Sequence, residues 1–314
     1  MEYRFPRFNW AILIMFLHVS LEALTLEREE GMMGNERAIV RGQSSVMVVT
    51  PHSGTLVPPD LLVHSAWEAV NGRLSDPGGE ALGAVARKRG ITCIAAALHP
   101  CVIDLNVAAN HTALSQRLNR LGLCRTHTSR GEALYLPGAE PGDADVQRRV
   151  EEHWKPFHAS ILAELSRLRE THDNVLMLVS HAGARLSPYR TQPGAADCNF
   201  STNHGASSDR AIVSAMTRAA QALERSWVVN GKMTDAFTAQ RYGRPECGVH
   251  VIELEIAGRW RRELELAQSN AHGDAGSDAL IAEILCAAEH AVDGLAAPRV
   301  AGDLFCDLRD ACLD

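Results

Sequence analysis

Short, nearly unbroken apolar runs constrain this chain more than any other feature. Val46-Met47-Val48-Val49 stops at Pro51, Ile91 to Leu98 stops at Pro100, and Asn174 to Val179 stops just short of His181. Runs that are apolar at successive rather than alternate residues suit strands covered on both faces, as in a parallel sheet. Val249 to Ile256 alternates in part with period two, which puts Glu253 and Glu255 on one face, and Val102-Ile103 is a further brief candidate strand. Helical periodicities lie between the runs. From Ala144 to Thr171 apolar residues recur at three and four positions, with Pro156 predicting a kink or a break. Asp209 to Arg225, capped by Asp209, and Ser277 to Asp293 read as two more helices. Strands alternating with helices predict a single α/β domain, a mixed and mostly parallel sheet flanked by helices. Composition shifts set off an extension over residues 1–44, the α/β domain over 45–295 and a tail over 296–314.

Composition narrows the function classes. With 31 Lys and Arg against 38 Asp and Glu, a net charge of −7 and no basic block, the chain lacks the clustered cations that would make nucleic acid its main partner. No apolar run reaches the ~18 residues that a membrane span needs. The eight cysteines are scattered, none at the spacing of a zinc knuckle or a redox pair, which suits a reducing, cytoplasmic location. One segment opposes this. Arg4 and Arg7 precede the apolar Trp10 to Leu17, with Ala23 as a cleavage position, the layout of a signal peptide. Translation from Met32 or Met33, or a loosely docked leader, accounts for the same residues. Sequons at Asn110 and Asn199 matter only for a secreted chain.

Ligands of open α/β sheets bind at the carboxyl ends of the strands, and two of the fourteen histidines stand there. His52 follows the first run in Pro51-His52-Ser53-Gly54-Thr55, where Gly54 would let the loop turn sharply, and His181 follows the third in Ser180-His181-Ala182-Gly183. One such histidine is more often a hydrogen-bonded structural group; two at equivalent places could share a metal ion. A hydrolytic zinc site also needs a third ligand, an open position for water and a carboxylate base. Glu255 is the candidate base and Glu253 its neighbour on the same face, although alternation alone fits a solvated or salt-bridged face as well.

Several blocks then occur in a fixed order: Thr50-Pro51-His52-Ser53-Gly54-Thr55, Val102-Ile103-Asp104-Leu105-Asn106, Gly122-Leu123-Cys124 with Gly131-Glu132-Ala133-Leu134-Tyr135-Leu136, and His153-Trp154-Lys155-Pro156-Phe157-His158. Asn199-Phe200-Ser201-Thr202-Asn203-His204-Gly205 comes next, and then Tyr242-Gly243-Arg244-Pro245 through Gly248-Val249-His250 to Leu254-Glu255. In these blocks the chain from about Val46 to Glu265 resembles the N-formylglutamate amidohydrolases, also called N-formylglutamate deformylases. The resemblance implies a fold similar to the zinc carboxypeptidases and aspartoacylases. It further implies metal-assisted cleavage of the formyl amide of N-formyl-L-glutamate, at the end of one histidine degradation route. By the same resemblance His52 and His181 hold zinc, and Glu255 rather than Glu253 is the general base.

The family's third ligand is an Asp shortly after the first histidine, and Glu68, with Arg73-Leu74 behind it, fits that spacing. A competing alignment pins Trp67 to a family Trp and leaves Ala66 in the ligand's place. Asp104 and Asn106 read as supporting groups; Asn203, Arg241 and Arg244 read as contacts for a small N-acyl amino acid. His153, His158 and His250 fall in the blocks with structural roles. The chain departs from the family where Pro100 or Cys101 and Val107 replace arginines flanking the Val102 to Asn106 block. Val179 replaces an acidic residue, Ala182 a serine and Gln240 an arginine. A dicarboxylate calls for bidentate Arg. These departures leave two expectations: an amidohydrolase with an altered acyl amino acid substrate, or a degenerate pocket in a non-catalytic binding protein.

Overall fold

The computed structural model describes residues 37–110, 122–128, 131–181, 196–231, 237–269 and 275–298. Among these, seven strands form one sheet: β1 (Arg37–Val40), β2 (Val46–Thr50), β3 (Thr92–Ala96), β4 (Val175–Ser180), β5 (Cys198–Ser201), β6 (Trp227–Val229) and β7 (Val249–Ile256), in the order β1-β3-β2-β4-β7-β5-β6. β2 pairs in parallel with β3 and β4, β4 with β7, and β5 with β6; β1 runs antiparallel to β3, and β5 to β7. The sheet is therefore mixed and mostly parallel, as the apolar runs require.

Around it lie α1 (Pro59–Leu62), α2 (Pro77–Lys88), α3 (Asp143–Arg149), α4 (Lys155–Arg169), α5 (Arg210–Ala222), α6 (Phe237–Tyr242), α7 (Gly258–Ser269) and α8 (Ala275–Asp293). Successive side chains of a strand point to opposite faces, so each central strand feeds two cores. Met47, Val49, Met177, Val179 and Val251 pack with Trp154, Phe157 and Ile161 on one side. Val46, Val48, Leu176, Leu178 and Ile252 pack with Leu82, Met216, Trp260 and Leu285 on the other.

Several expectations change. The sheet begins before Ser45: Arg37–Val40, placed by composition in the extension, is an edge strand on β3. Residues 1–36, with the signal-peptide layout, and 299–314 of the tail lie outside the described residues. Val102-Ile103 forms no strand, because side chains of a helix take its loop's carbonyls instead. Pro156 neither ends nor breaks its helix, which runs from α3 into α4 through a π-helical turn, Val150–Trp154. The wider turn precedes a residue with no N–H to give. Asn199 lies buried in β5 with its amide engaged by Glu255 and Gly231, so it is no glycan acceptor. No described helix is long and apolar enough to cross a membrane.

Candidate active site

The carboxyl ends of β2 and β4 lie side by side, and the loops leaving them carry the two histidines. After β2 the chain folds over at once. Ser53 Oγ donates to Thr50 O at 3.0 Å, and the two side-chain hydroxyls lie 2.8 Å apart. Gly54 serves a close approach rather than a turn, since a Cβ there would stand 2.1 Å from Leu98 O. That approach lets Thr55 N and Leu56 N both donate to Ala97 O at 3.0 Å, while His99 N donates to Leu56 O at 2.8 Å. The loop after β2 is thus sewn to the loop after β3.

The second loop, residues 101–107, is held from behind by one helix. Arg149 Nη1 donates to Val102 O (2.8 Å), His158 Nε2 to Leu105 O (3.1 Å) and Trp154 Nε1 to Val107 O (2.9 Å). In an unbroken α-helix Arg149 and Trp154, five apart, would face about 140° away from each other. The π turn between them restores one face. His158 is a donor here because Tyr242 Oη bonds its Nδ1 at 2.6 Å, while burial pushes its pKa down to about 3 and keeps it neutral. His99 braces the same loop: Cys101 N donates to its Nδ1 at 3.1 Å, and burial lowers it to about 3.

Held this way, the loop gives one residue to each strand-end histidine. Asp104 Oδ1 lies 2.7 Å from His52 Nε2 and accepts Asn106 N at 3.0 Å, while Arg125 Nη2 bonds its Oδ2. Burial raises the Asp104 carboxyl, but His52 and Arg125 beside it and the bonds from His52 and Asn106 outweigh it and hold the group below the usual carboxylate range. An ionised carboxylate only accepts, so Nε2 of His52 carries a proton. Asn106 turns the other way. Its Nδ2 lies 3.3 Å from both His181 Nδ1 and Glu253 Oε2, and Thr238 Oγ1 donates to its Oδ1. The His52 and His181 rings stand 5.9 Å apart, nearly edge to face at 70°.

The two glutamates of β7 part company. Glu253 is fully buried; it accepts Ala239 N at 3.1 Å and lies 3.4 Å from His181 Nδ1. It therefore orients His181. Glu255, nearer the strand's end and 6% exposed, meets Asn199 Nδ2 across β5 at 3.5 Å, and Asn199 Oδ1 in turn accepts Gly231 N at 3.2 Å.

Other expected site residues stand apart. Glu68 is exposed and, among the described residues, makes no side-chain hydrogen bond or ion pair with either histidine. Arg244 Nη1 donates to Gln240 O (3.1 Å) and Gly243 O (2.6 Å), which closes the end of α6. The Arg241 guanidinium lies over the rings of Trp154 (5.6 Å), Tyr242 (5.6 Å) and Phe237 (5.9 Å). Asn203, at φ 47°, opens the turn after β5.

Two groups escaped sequence reading. Arg125 is one; its partner lies in another block, and nothing local announces the pair. Asp76 is the other. It sits buried at the N-cap of α2 without capping it, and its Oδ2 has no partner. A Cβ at Gly79 would stand 2.4 Å from that oxygen and 2.5 Å from Ser180 Oγ, so the glycine leaves room for a carboxylate beside the residue preceding His181. Asp76-Pro77 does read as a helix start, but only the structure shows a cap that does not cap.

Among the described residues no three His, Cys, Asp or Glu side chains form a group that could hold a metal ion as they stand. The donors nevertheless fit one in kind. Each imidazole has one nitrogen against a carboxylate, the arrangement that orients metal-binding histidines, and Asp76 brings a buried, unpartnered carboxylate oxygen, which is costly without a cation.

Comparison with known proteins agrees with this architecture. The model of the N-formylglutamate amidohydrolase family matches residues 44–260. The N-formylglutamate deformylase of Pseudomonas aeruginosa is 29% identical over 218 residues, covering 69% of this chain and 82% of that protein. Its counterpart from Pseudomonas putida is 28% identical over 218 residues, covering 69% and 81%. Among solved structures, the N-formylglutamate amidohydrolase from Ralstonia eutropha superposes with a TM-score of 0.65 at 17% identity, covering 82% of this chain and 97% of that one, a likeness of fold. With the match spanning most of the α/β domain, the chain belongs to the N-formylglutamate amidohydrolase family.

Proposed function

We propose that this chain hydrolyses the N-formyl, or another small N-acyl, amide of an amino acid. The reading is supported most by the strand-end cluster in which one loop, through Asp104 and Asn106, addresses both His52 and His181. The family's curated relatives are named for the deformylation of N-formylglutamate. In the reaction water adds to the acyl carbonyl carbon, the C–N bond breaks, and the acid and the free amine leave. Glu255 accepts the water's proton and returns it to the departing nitrogen, the work of a carboxylate within reach of both. Asn199 steadies Glu255 from β5. Glu253 serves His181 instead.

Zinc, when bound, would supply a water of lowered pKa and polarise the carbonyl. His52, His181 and Asp76 are the donors we assign to it, Asp76 in place of the exposed Glu68. Arg125 is committed to Asp104 and Arg244 to backbone carbonyls, so the substrate side chain need not be acidic.

The test is a screen of formate and amine release over N-formyl-glutamate and a panel of N-acyl amino acids, with metal analysis of the same protein. We expect about one zinc per chain and turnover of at least one panel member. Asp76→Asn should lose the metal and Glu68→Gln should keep it. Absence of both metal and turnover would sink the reading, whereas zinc without any turnover would establish the non-catalytic binding protein.

A further inference from the structure

We propose that Arg125 is a positioning residue for His52, acting through Asp104. The inference rests on the reading of His52 as part of a hydrolytic site and goes beyond it, since Arg125 lies in a separate segment and its side chain reaches His52 through this carboxylate. That segment is well placed. Asp104 N donates to Leu123 O at 2.7 Å, Arg125 N to Cys101 O at 3.2 Å, and Leu134 N to Thr126 O at 2.9 Å, so residues 123–126 lie clamped between two stretches of chain.

The carboxylate needs such a neighbour. Asp104 Oδ1 already serves two donors, His52 Nε2 and Asn106 N, while Arg125 alone is described at Oδ2. Without the guanidinium, rotation about the Cβ–Cγ bond would be opposed by one oxygen's contacts only, and Oδ2 would remain buried with no donor. All three side chains are nearly out of water, at 3% exposure for His52, 4% for Asp104 and 11% for Arg125. In such a place a lone carboxylate is costly and a paired one directional. Arg125 thus fixes the plane of Asp104, and Asp104 fixes the ring of His52. The Arg125 Nε is buried without a hydrogen-bond partner: one tooth of the fork is engaged and the neighbouring one is not. A lysine would supply the charge but not the planar fork.

The test compares wild type with Arg125→Gln and Arg125→Lys in three measurements. These are zinc affinity by chelator competition, kcat against KM on the best substrate, and the imidazole nitrogen NMR signals of metal-free protein, with His52 assigned from His52→Gln. For Arg125→Gln we expect zinc affinity weaker by about 10–100-fold, the size of effect seen for groups that orient metal ligands. We also expect kcat to fall with KM within about two-fold, and the protonated Nε2 signal of His52 to broaden or shift. Arg125→Lys should recover part of each loss.

A rise in KM alone would overturn the proposal, because it would put Arg125 against the substrate. So would a lower unfolding midpoint with zinc affinity and the His52 signal unchanged. If Arg125→Gln does not fold, Arg125→Lys carries the same comparison. If wild type proves inactive, the amidohydrolase reading falls, and the His52 signal still decides this one.

Discussion

The two faces of the central strands share a backbone and differ in everything else. One face packs Val46, Val48, Leu176, Leu178 and Ile252 against the helical layer that carries Leu82, Met216, Trp260 and Leu285. Three buried polar groups there serve the ends of elements. Asp197 accepts Trp260 N at 3.1 Å at the head of α7, Ser277 accepts the Trp260 indole at 3.2 Å, and His250 accepts the N–H of Asp209 at 3.1 Å before α5. The other face mixes a comparable apolar set with Asp104, Asn106, Arg149, His158 and Glu253, all buried and all bonded. Alternation gives each strand two tasks: one face stabilises by area, and the other fixes directions. The cost of error differs accordingly, since a buried polar group left unpaired loses about 1–3 kcal/mol.

If this division is right, changes on the two faces should separate activity from stability. The largest effect belongs to Glu255→Gln, which should lower kcat by about 10²–10⁴-fold while zinc content and the unfolding midpoint hold. A loss below tenfold would move the base elsewhere, with Glu253 the first alternative. Next comes Leu285→Ala on the apolar face. Urea unfolding should show about 2–5 kcal/mol of lost stability, with kcat of the folded fraction retained; a drop in kcat would join the faces that we separate.

The most gradual effect is the response to acid, which is spread over several pH units. Burial holds the folded-state pKa of His99 and His158 at about 3 and of His250 at about 4, all below the unfolded reference of 6.5. On lowering the pH from 6.5 the unfolded chain takes up protons that the folded chain refuses, so stability is full above that value and falls as pH drops towards 3 to 4. Each group contributes at most about 1.4 kcal/mol per pH unit. Denaturant titrations at several pH values should show this slope, and His158→Asn should flatten it; an unchanged slope would mean that other groups set the acid limit.

The parts of this molecule legible in the residues are those set by local pattern. β2, β4 and β7 announce themselves because double-sided burial makes nearly every residue apolar, and His52 and His181 stand out by succeeding such runs. β6 was hidden: it has three residues, and Trp227 and Val228 are exposed at the edge. α2 was hidden by Gly78, Gly79 and Gly83, poor helix formers that are nonetheless needed, the first two where Ile256, Asp76 and Ser180 press against the helix. Glu253 and Glu255 have different partners, Ala239 and His181 for one and Asn199 for the other, a difference that periodicity along β7 does not encode. Arg125 and Asp76 gain their meaning only from residues far away in the chain.

The π-helical turn at Val150–Trp154 sets the kind of change this site tolerates least. Its surplus residue works like an offset in a screw thread, bringing Arg149 onto the side where Trp154 and His158 already grip the loop of Asp104 and Asn106. Substitutions on the helix's outer surface, away from these contacts, should change stability by about 0.5 kcal/mol or less. Removing a single residue from the turn would instead rotate α3 by about 100° relative to α4, and the loop would lose its first anchor with no ligand or base replaced.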